Sequence, residues 1–176
     1  MCIRDRLYNA ATALEVVAAL VRRGWRISEE AVTRGLRAAV WPARMELVRR
    51  NPDMILDGGH NPQCMGALRR ALEELYPNRK ILFMTGVLSD KDYPSMLGEL
   101  LPLSKGFVTI TPDSDRALSA GELAQYLRQA GAEAQPCGSV SEGIRTVLDL
   151  AQPDDVVCVC GSLYMIGEAR HALGLC

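Results

Sequence analysis

Residues 80–110 read KILFMTGVLSDKDYPSMLGELLPLSKGFVTI, and the order of apolar and polar positions within them decides the fold class. Lys80 to Val87 is an almost unbroken apolar run, the signature of a strand covered on both faces rather than one with a wet side. Pro94 to Leu101 follows as a helix, and Gly106 to Ile110 is a second apolar strand. The same alternation extends outward in both directions. Toward the carboxyl end come a helix from about Ser119 to Ala130, a short strand near Glu133 to Gln135, a helix from Val140 to Ala151, a strand from Asp155 to Cys160 and a helix from Ser162 to Ala172. Toward the amino end, Met54 to Asp57 is a short strand preceded by Asn51-Pro52, and Asn61 to Tyr76 is a helix with Pro62 near its first position. Regular β-α alternation with continuous apolar strands implies an α/β fold, a mostly parallel, Rossmann-like sheet with helices on both faces.

Before Pro42 the pattern is helical only. Leu7, Ala10, Ala11, Leu14, Val17, Ala18 and Val21 recur at helical spacing up to Arg23, and Gly24 follows as a stop. Ser28 is placed to cap a second helix that runs to about Ala39, ended by Trp41-Pro42. Two helices of this size cannot bury both apolar faces alone, so residues 7–40 are expected to pack on something else. Met1 to Arg6 resembles the translation of a transposon adapter used in sequencing libraries and is expected to be a scar.

Composition narrows the function classes. The chain has 176 residues, 48% hydrophobic and 23% charged, enough for one domain plus an appendage. Its net charge is -1, although half of the 20 basic residues and only five of the 21 acidic ones fall in residues 1–50. No run of Lys or Arg interleaves with aromatics, so nucleic acid is not an expected partner. No stretch approaches the length of a membrane span and no signal-peptide pattern opens the chain, which predicts no membrane partner and a cytoplasmic location. The six cysteines form no CxxC pair and have no histidines at zinc-finger spacing. Cys158 and Cys160 sit two apart in an apolar run and are expected to share a buried strand face.

In such sheets ligands bind beyond the carboxyl ends of the strands. The polar residues there are few: Asp57-Gly58-Gly59-His60-Asn61-Pro62, Gly86-Val87-Leu88-Ser89-Asp90-Lys91-Asp92 and Cys160-Gly161-Ser162-Leu163-Tyr164. Paired glycines let backbone approach a ligand, and a helix amino terminus offers N–H groups to an anion. An aspartate at such a strand end can accept hydrogen bonds from sugar hydroxyls.

Together with Trp41-Pro42-Ala43-Arg44-Met45-Glu46, these segments, DGGHNP at 57–62, GVLSDKDY at 86–93 and CGSLY at 160–164, resemble in order and spacing the carboxy-terminal domain of folylpolyglutamate synthases, in the Mur ligase superfamily. Asn9-Ala10-Ala11-Thr12-Ala13-Leu14 is similar to the last helices of that family's central ATPase domain. The resemblance covers Leu7 to Leu173 and implies residues 7–40 as a helical remnant of the ATPase domain and 41–176 as the carboxy-terminal domain. It implies ATP as phosphoryl donor, L-glutamate as the incoming amine and a folate or dihydropteroate carboxylate as acceptor, with magnesium held by a part of the family's enzymes that this sequence lacks. By position, Arg44 matches the arginine near the transferring phosphoryl group, Asp57 the ribose-binding aspartate, His60 a histidine beside the nucleotide and Asn9 an asparagine near adenine. Lys91 and Ser162 match the places where Mur-type ligases hold the incoming amino acid.

Each residue has a plainer reading. Asp57 could cap the following helix, His60 could bond only to backbone, and Arg44 could be a surface arginine. Ser162 could be an N-cap, Lys91 a solvated turn residue and Tyr164 a packing residue, and His171 carries no functional expectation. The chain has no G-x-x-x-x-G-K-[ST] phosphate loop, so alone it is expected to be inactive. The competing readings are another Mur-type amino-acid ligase and a non-catalytic nucleotide-binding module.

Overall fold

The computed structural model describes residues 3–175, with side chains described from Asn9 onward. Contacts divide the chain into two compact units, Met1–Pro42 and Ala43–Cys176.

The first unit holds α1 (Ile3–Arg22) and α2 (Glu29–Ala38). Gly24 stops α1 as expected. At φ +94° it lets the Gly24 N–H reach Val21 O at 2.9 Å and the Trp25 N–H reach Leu20 O at 3.1 Å, a paired closure of the last helical turn. Ser28 caps α2 by accepting the Ala31 N–H at 3.2 Å. α2 is amphipathic, yet none of its residues is buried. Residues 3–6 continue α1, so the part of the expected scar that lies outside the described residues is Met1 and Cys2.

The second unit is a six-stranded sheet formed by β1 (Glu46–Arg49), β2 (Asp53–Leu56), β3 (Ile81–Thr85), β4 (Ser104–Thr109), β5 (Ala134–Pro136) and β6 (Val156–Cys160), in the order β1-β2-β6-β3-β4-β5. All pairings are parallel except β1 with β2. β6, last in the chain, is inserted between β2 and β3, and every residue of β3 and β6 is buried. Five helices cover it: α3 (Pro62–Leu75), α4 (Tyr93–Leu100), α5 (Ala120–Gln129), α6 (Val140–Leu150) and α7 (Leu163–Ala172). Alternation along β3 assigns the faces. Ile81 and Phe83 point into a core with Met65, Leu68 and Leu72 of α3, Leu97 of α4 and Leu123 of α5, and Phe83 stacks on Phe107 at 5.4 Å. Leu82 and Met84 point into a second core with Ile144 of α6 and Met165 of α7. Cys158 and Cys160 are fully buried on one face, as expected from their spacing.

The sequence reading omits β1. Glu46-Leu47-Val48-Arg49 alternates half-buried and exposed positions at the sheet edge, and four alternating residues become a strand only through pairing with β2. Among the described residues no helix is long and apolar enough to cross a membrane.

Candidate functional site

The register of the three neighbouring strands brings their carboxyl ends level. Leu56 of β2 pairs with Val159 of β6, and Thr85 of β3 pairs with Cys160 of β6. The loops that leave these ends touch one another. The Asp57 N–H donates to Val159 O at 2.9 Å and the Gly161 N–H donates to Gly59 O at 3.0 Å. Gly161 adopts φ +118°, and a Cβ there would lie 2.6 Å from Gly86 O and 2.7 Å from Thr85 Oγ1, so only glycine fits where the three loops meet. Thr85 Oγ1, missed by the sequence reading, is buried against Gly161 with no hydrogen bond among the described residues.

Asp57 is the brace of this edge. It is 3% exposed, and its carboxylate accepts the Gly59 N–H at 2.8 Å through Oδ1 and the Met45 N–H at 3.0 Å through Oδ2. The helix cap named as the plainer reading of Asp57 belongs instead to Asn61, whose Oδ1 accepts the Cys64 N–H at 2.8 Å. The Met45 contact ties the Arg44 turn to the glycine pair.

That turn is costly backbone. Ala43 and Met45, on either side of Arg44, have φ of 59° and 47°, a left-handed conformation that costs a side-chain-bearing residue roughly 1–2 kcal/mol. It is held because the Gly58 N–H donates to Ala43 O at 2.7 Å and the Ala43 N–H donates to Glu46 Oε2 at 2.7 Å, in addition to the Asp57 bond. Glu46 in turn pairs with Arg170 of α7. Burial raises the Glu46 carboxyl, but hydrogen bonds from Arg170 and the Ala43 N–H outweigh it and hold the group below its ordinary value. Neither Glu46 nor Arg170 was read from the sequence as part of the site. They are 124 residues apart and no local signal links them.

His60 is half-buried, and its Nδ1–H donates to Gly58 O at 2.9 Å. A carbonyl oxygen only accepts, so Nδ1 carries a proton in this bond and Nε2 is the ring nitrogen turned away from it. Ser162 is 2% exposed and sits at the N-cap of α7, but its hydroxyl makes no capping bond, so the first turn of α7 presents N–H groups that no side chain has closed. Lys91 is half-buried in the turn after β3, where its N–H donates to Leu88 O at 3.2 Å. Leu163 and Tyr164, 51% and 54% exposed, stand at the rim, so the expectation that Tyr164 packs is corrected: the first turn of α7 turns it outward.

Arg44, Asp57 and His60 therefore belong to one hydrogen-bonded group of loops, while Lys91 and Ser162 leave the same sheet edge from the adjacent strands β3 and β6. Asn9 lies on α1 in the first unit. Among the described residues no three His, Cys, Asp or Glu side chains gather where they could hold a metal ion. At the opposite, amino edge a polar cavity of about 170 Å³ is lined by Asn51, Asp53, Tyr76, Arg79 and Asp155 among others, and contains none of the residues expected from the sequence. There burial, then the hydrogen bond to Asp53 at 2.9 Å, pushes the Tyr76 hydroxyl up to about 12.

Comparison with known proteins gives this edge a family. Residues 43–163 match the family described as Mur ligase, glutamate ligase domain. The folylpolyglutamate synthase of Lacticaseibacillus casei is 29% identical over 170 residues, 94% of this chain and 37% of that protein. A probable bifunctional folylpolyglutamate synthase/dihydropteroate synthase of Halobacterium salinarum is 36% identical over 156 residues, 88% of this chain and 19% of that protein. Among solved structures, E. coli FolC in complex with DHPP and ADP superposes with a TM-score of 0.82 at 29% identity, covering 94% of this chain and 38% of that one. A bifunctional folylpolyglutamate synthase/dihydrofolate synthase with Mn, AMPPNP and L-glutamate bound gives 0.83 at 34% identity, covering 96% and 40%. The chain thus spans about two-fifths or less of the length of these relatives. The match runs from the Arg44 turn to the start of α7 and so takes in every loop of the sheet edge, and the chain belongs to the Mur ligase family through its glutamate ligase domain.

Proposed function

We propose that residues 41–176 are the carboxy-terminal domain of a folylpolyglutamate synthase/dihydrofolate synthase, and residues 7–40 the last helices of its central ATPase domain. The complete enzyme joins L-glutamate to a folate or dihydropteroate carboxylate. In this reading ATP transfers its terminal phosphoryl group to the acceptor carboxylate, giving an acyl phosphate and ADP. The glutamate amine attacks the acyl carbon, the bond to phosphate breaks and the amide forms. The observation that carries the reading is the meeting of DGGHNP, GVLSDKDY and CGSLY at one edge of the sheet, the first and last joined by the Asp57–Val159 and Gly161–Gly59 backbone bonds and Gly86 packed against Gly161.

Roles follow from chemistry. The Arg44 guanidinium, held in a strained and braced turn, is suited to stabilise charge on the transferring phosphoryl group. Asp57 accepts from ribose, and His60 offers Nε2 beside the nucleotide. Asn9 contributes near adenine. Lys91 and the Ser162 hydroxyl, with the uncapped first turn of α7, hold the carboxylate of the incoming glutamate. The chain has no phosphate-loop motif, so positioning the β- and γ-phosphates and magnesium falls to the rest of the enzyme, and no step here is assigned to the metal.

The test uses the isotope-labelled chain and a chimera. ADP is expected to shift the amide signals of residues 43–46 and 57–61, and L-glutamate those of 88–92 and 161–165. Neither ligand is expected to produce turnover by this chain alone. Substituted for the matching segment of the Lacticaseibacillus casei enzyme, the chain should support folate-dependent ADP release that requires glutamate. A folded, ATP-binding chimera that releases ADP only with a different amino acid would transfer the reading to another Mur-type ligase. ADP shifts without any glutamate shifts would reduce it to a nucleotide-binding module.

A further inference from the structure

Lys91 is flanked in sequence by two carboxylates, Asp90 and Asp92, each close enough along the chain to attract its ammonium. Both are engaged elsewhere. Asp92 caps α4, accepting the Ser95 N–H at 3.2 Å. Asp90 accepts Nη1 of Arg116 at 2.7 Å. Arg116 comes from the loop after β4, which lies along the turn as an antiparallel bridge between Leu88 and Ala117. Its carbonyl accepts the Ser89 N–H at 2.7 Å and the Ser89 hydroxyl at 3.0 Å, and the Leu118 N–H donates to Val87 O at 3.0 Å. The other two lysines are committed, Lys80 to Pro102 O at 2.7 Å and Lys105 to Asp155. The Lys91 ammonium has no hydrogen-bond or ion-pair partner among the described residues.

We propose that Arg116 is a positioning residue that holds Asp90 away from Lys91 and so leaves the Lys91 ammonium open to receive the carboxylate of the incoming amino acid. The identity of that ligand rests on the proposed function; the capture of Asp90 does not. The backbone bonds of residue 116 fix the turn whatever its side chain, so the guanidinium has a separable role: it removes the competing anion.

Competitive acetylation of the chain by acetic anhydride, read lysine by lysine by mass spectrometry, tests this without any ligand. Only the unprotonated amine reacts, and an ion pair with a carboxylate suppresses that form. With Lys80 as internal reference, Arg116→Ala is expected to slow Lys91 roughly 2- to 5-fold, the range of an exposed ion pair gained. Adding Asp90→Asn to Arg116→Ala should restore the wild-type rate, and Arg116→Lys should stay close to it. An unchanged Lys91 rate in Arg116→Ala, or a drop that Asp90→Asn does not reverse, overturns the role of Arg116. In the wild-type chain, added L-glutamate should protect Lys91 selectively. Its failure to do so overturns the ligand assignment, an outcome distinct from the first.

Discussion

α2 and β3 show how differently two equally legible segments end up. α2 was read from its capping serine and its Trp41-Pro42 stop, β3 from an almost unbroken apolar run. β3 has all five of its residues buried, and α2, with a capped start and an amphipathic pattern, has none. Trp25, Val40 and Trp41 in the first unit are 63%, 84% and 76% exposed, whereas Phe83 and Met84 are at 0%. Periodicity and caps are local, and they specify a helix; burial needs a second surface, and most helical stability in proteins comes from that surface. The contrast motivates the proposal that residues 7–40 belong to a larger domain.

Hydrogen exchange is the sharpest way to break the contrast. Amides of α2 should exchange at rates near those of a fraying helix, and those of β3 and β6 only through global unfolding, a difference of roughly a thousandfold or more. Equal protection in the two regions would argue against the proposal that residues 7–40 belong to a larger domain. Point substitutions sharpen it further. Phe83→Ala should destabilise the second unit by about 3–5 kcal/mol in denaturant titration, through lost burial and a cavity. Leu36→Ala, at a position 40% exposed, should change stability by less than about 0.5 kcal/mol.

The second unit also contains an internal contrast, between its sheet and the loops on its carboxyl edge. Gly161→Ala should cost about 1–3 kcal/mol, because the new methyl group meets Gly86 O and Thr85 Oγ1 in a backbone conformation that disfavours any side chain. Its amide-signal changes should concentrate in residues 57–61, 86–92 and 161–165, and changes spread evenly over the sheet would show that the edge is not a separate structural group. The smallest effect concerns the Arg44 turn. The Glu46 carboxyl is depressed in the folded chain, so its stabilising contribution is present above the unfolded carboxylate value of about 4.3 and is lost as pH falls through the lower folded value. Signals of residues 43–46 should therefore shift in that acid range, and Arg170→Met should move the transition up toward the unfolded value. An identical transition in the variant would mean that Arg170 does not hold Glu46.

The parallel, two-faced sheet was legible in the residue order, because continuous apolar strands alternating with helices have few other stable arrangements. The sequence also located Gly24 and Ser28 at helix ends and Asp57, His60, Lys91 and Ser162 beyond strand ends, since turn chemistry and strand length are written locally. It did not yield β1, whose four residues are a strand only against β2. Nor did it yield the insertion of β6 between β2 and β3, which makes loops more than a hundred residues apart share hydrogen bonds. Contacts around the candidate site were equally hidden: Asp57 as the brace of the Arg44 turn, Glu46 and Arg170 as its outer support, and Arg116 as the partner of Asp90. Those pairings depend on strand order and on which side chain faces which across space. Long-range packing decides both, and no window of neighbouring residues contains that information.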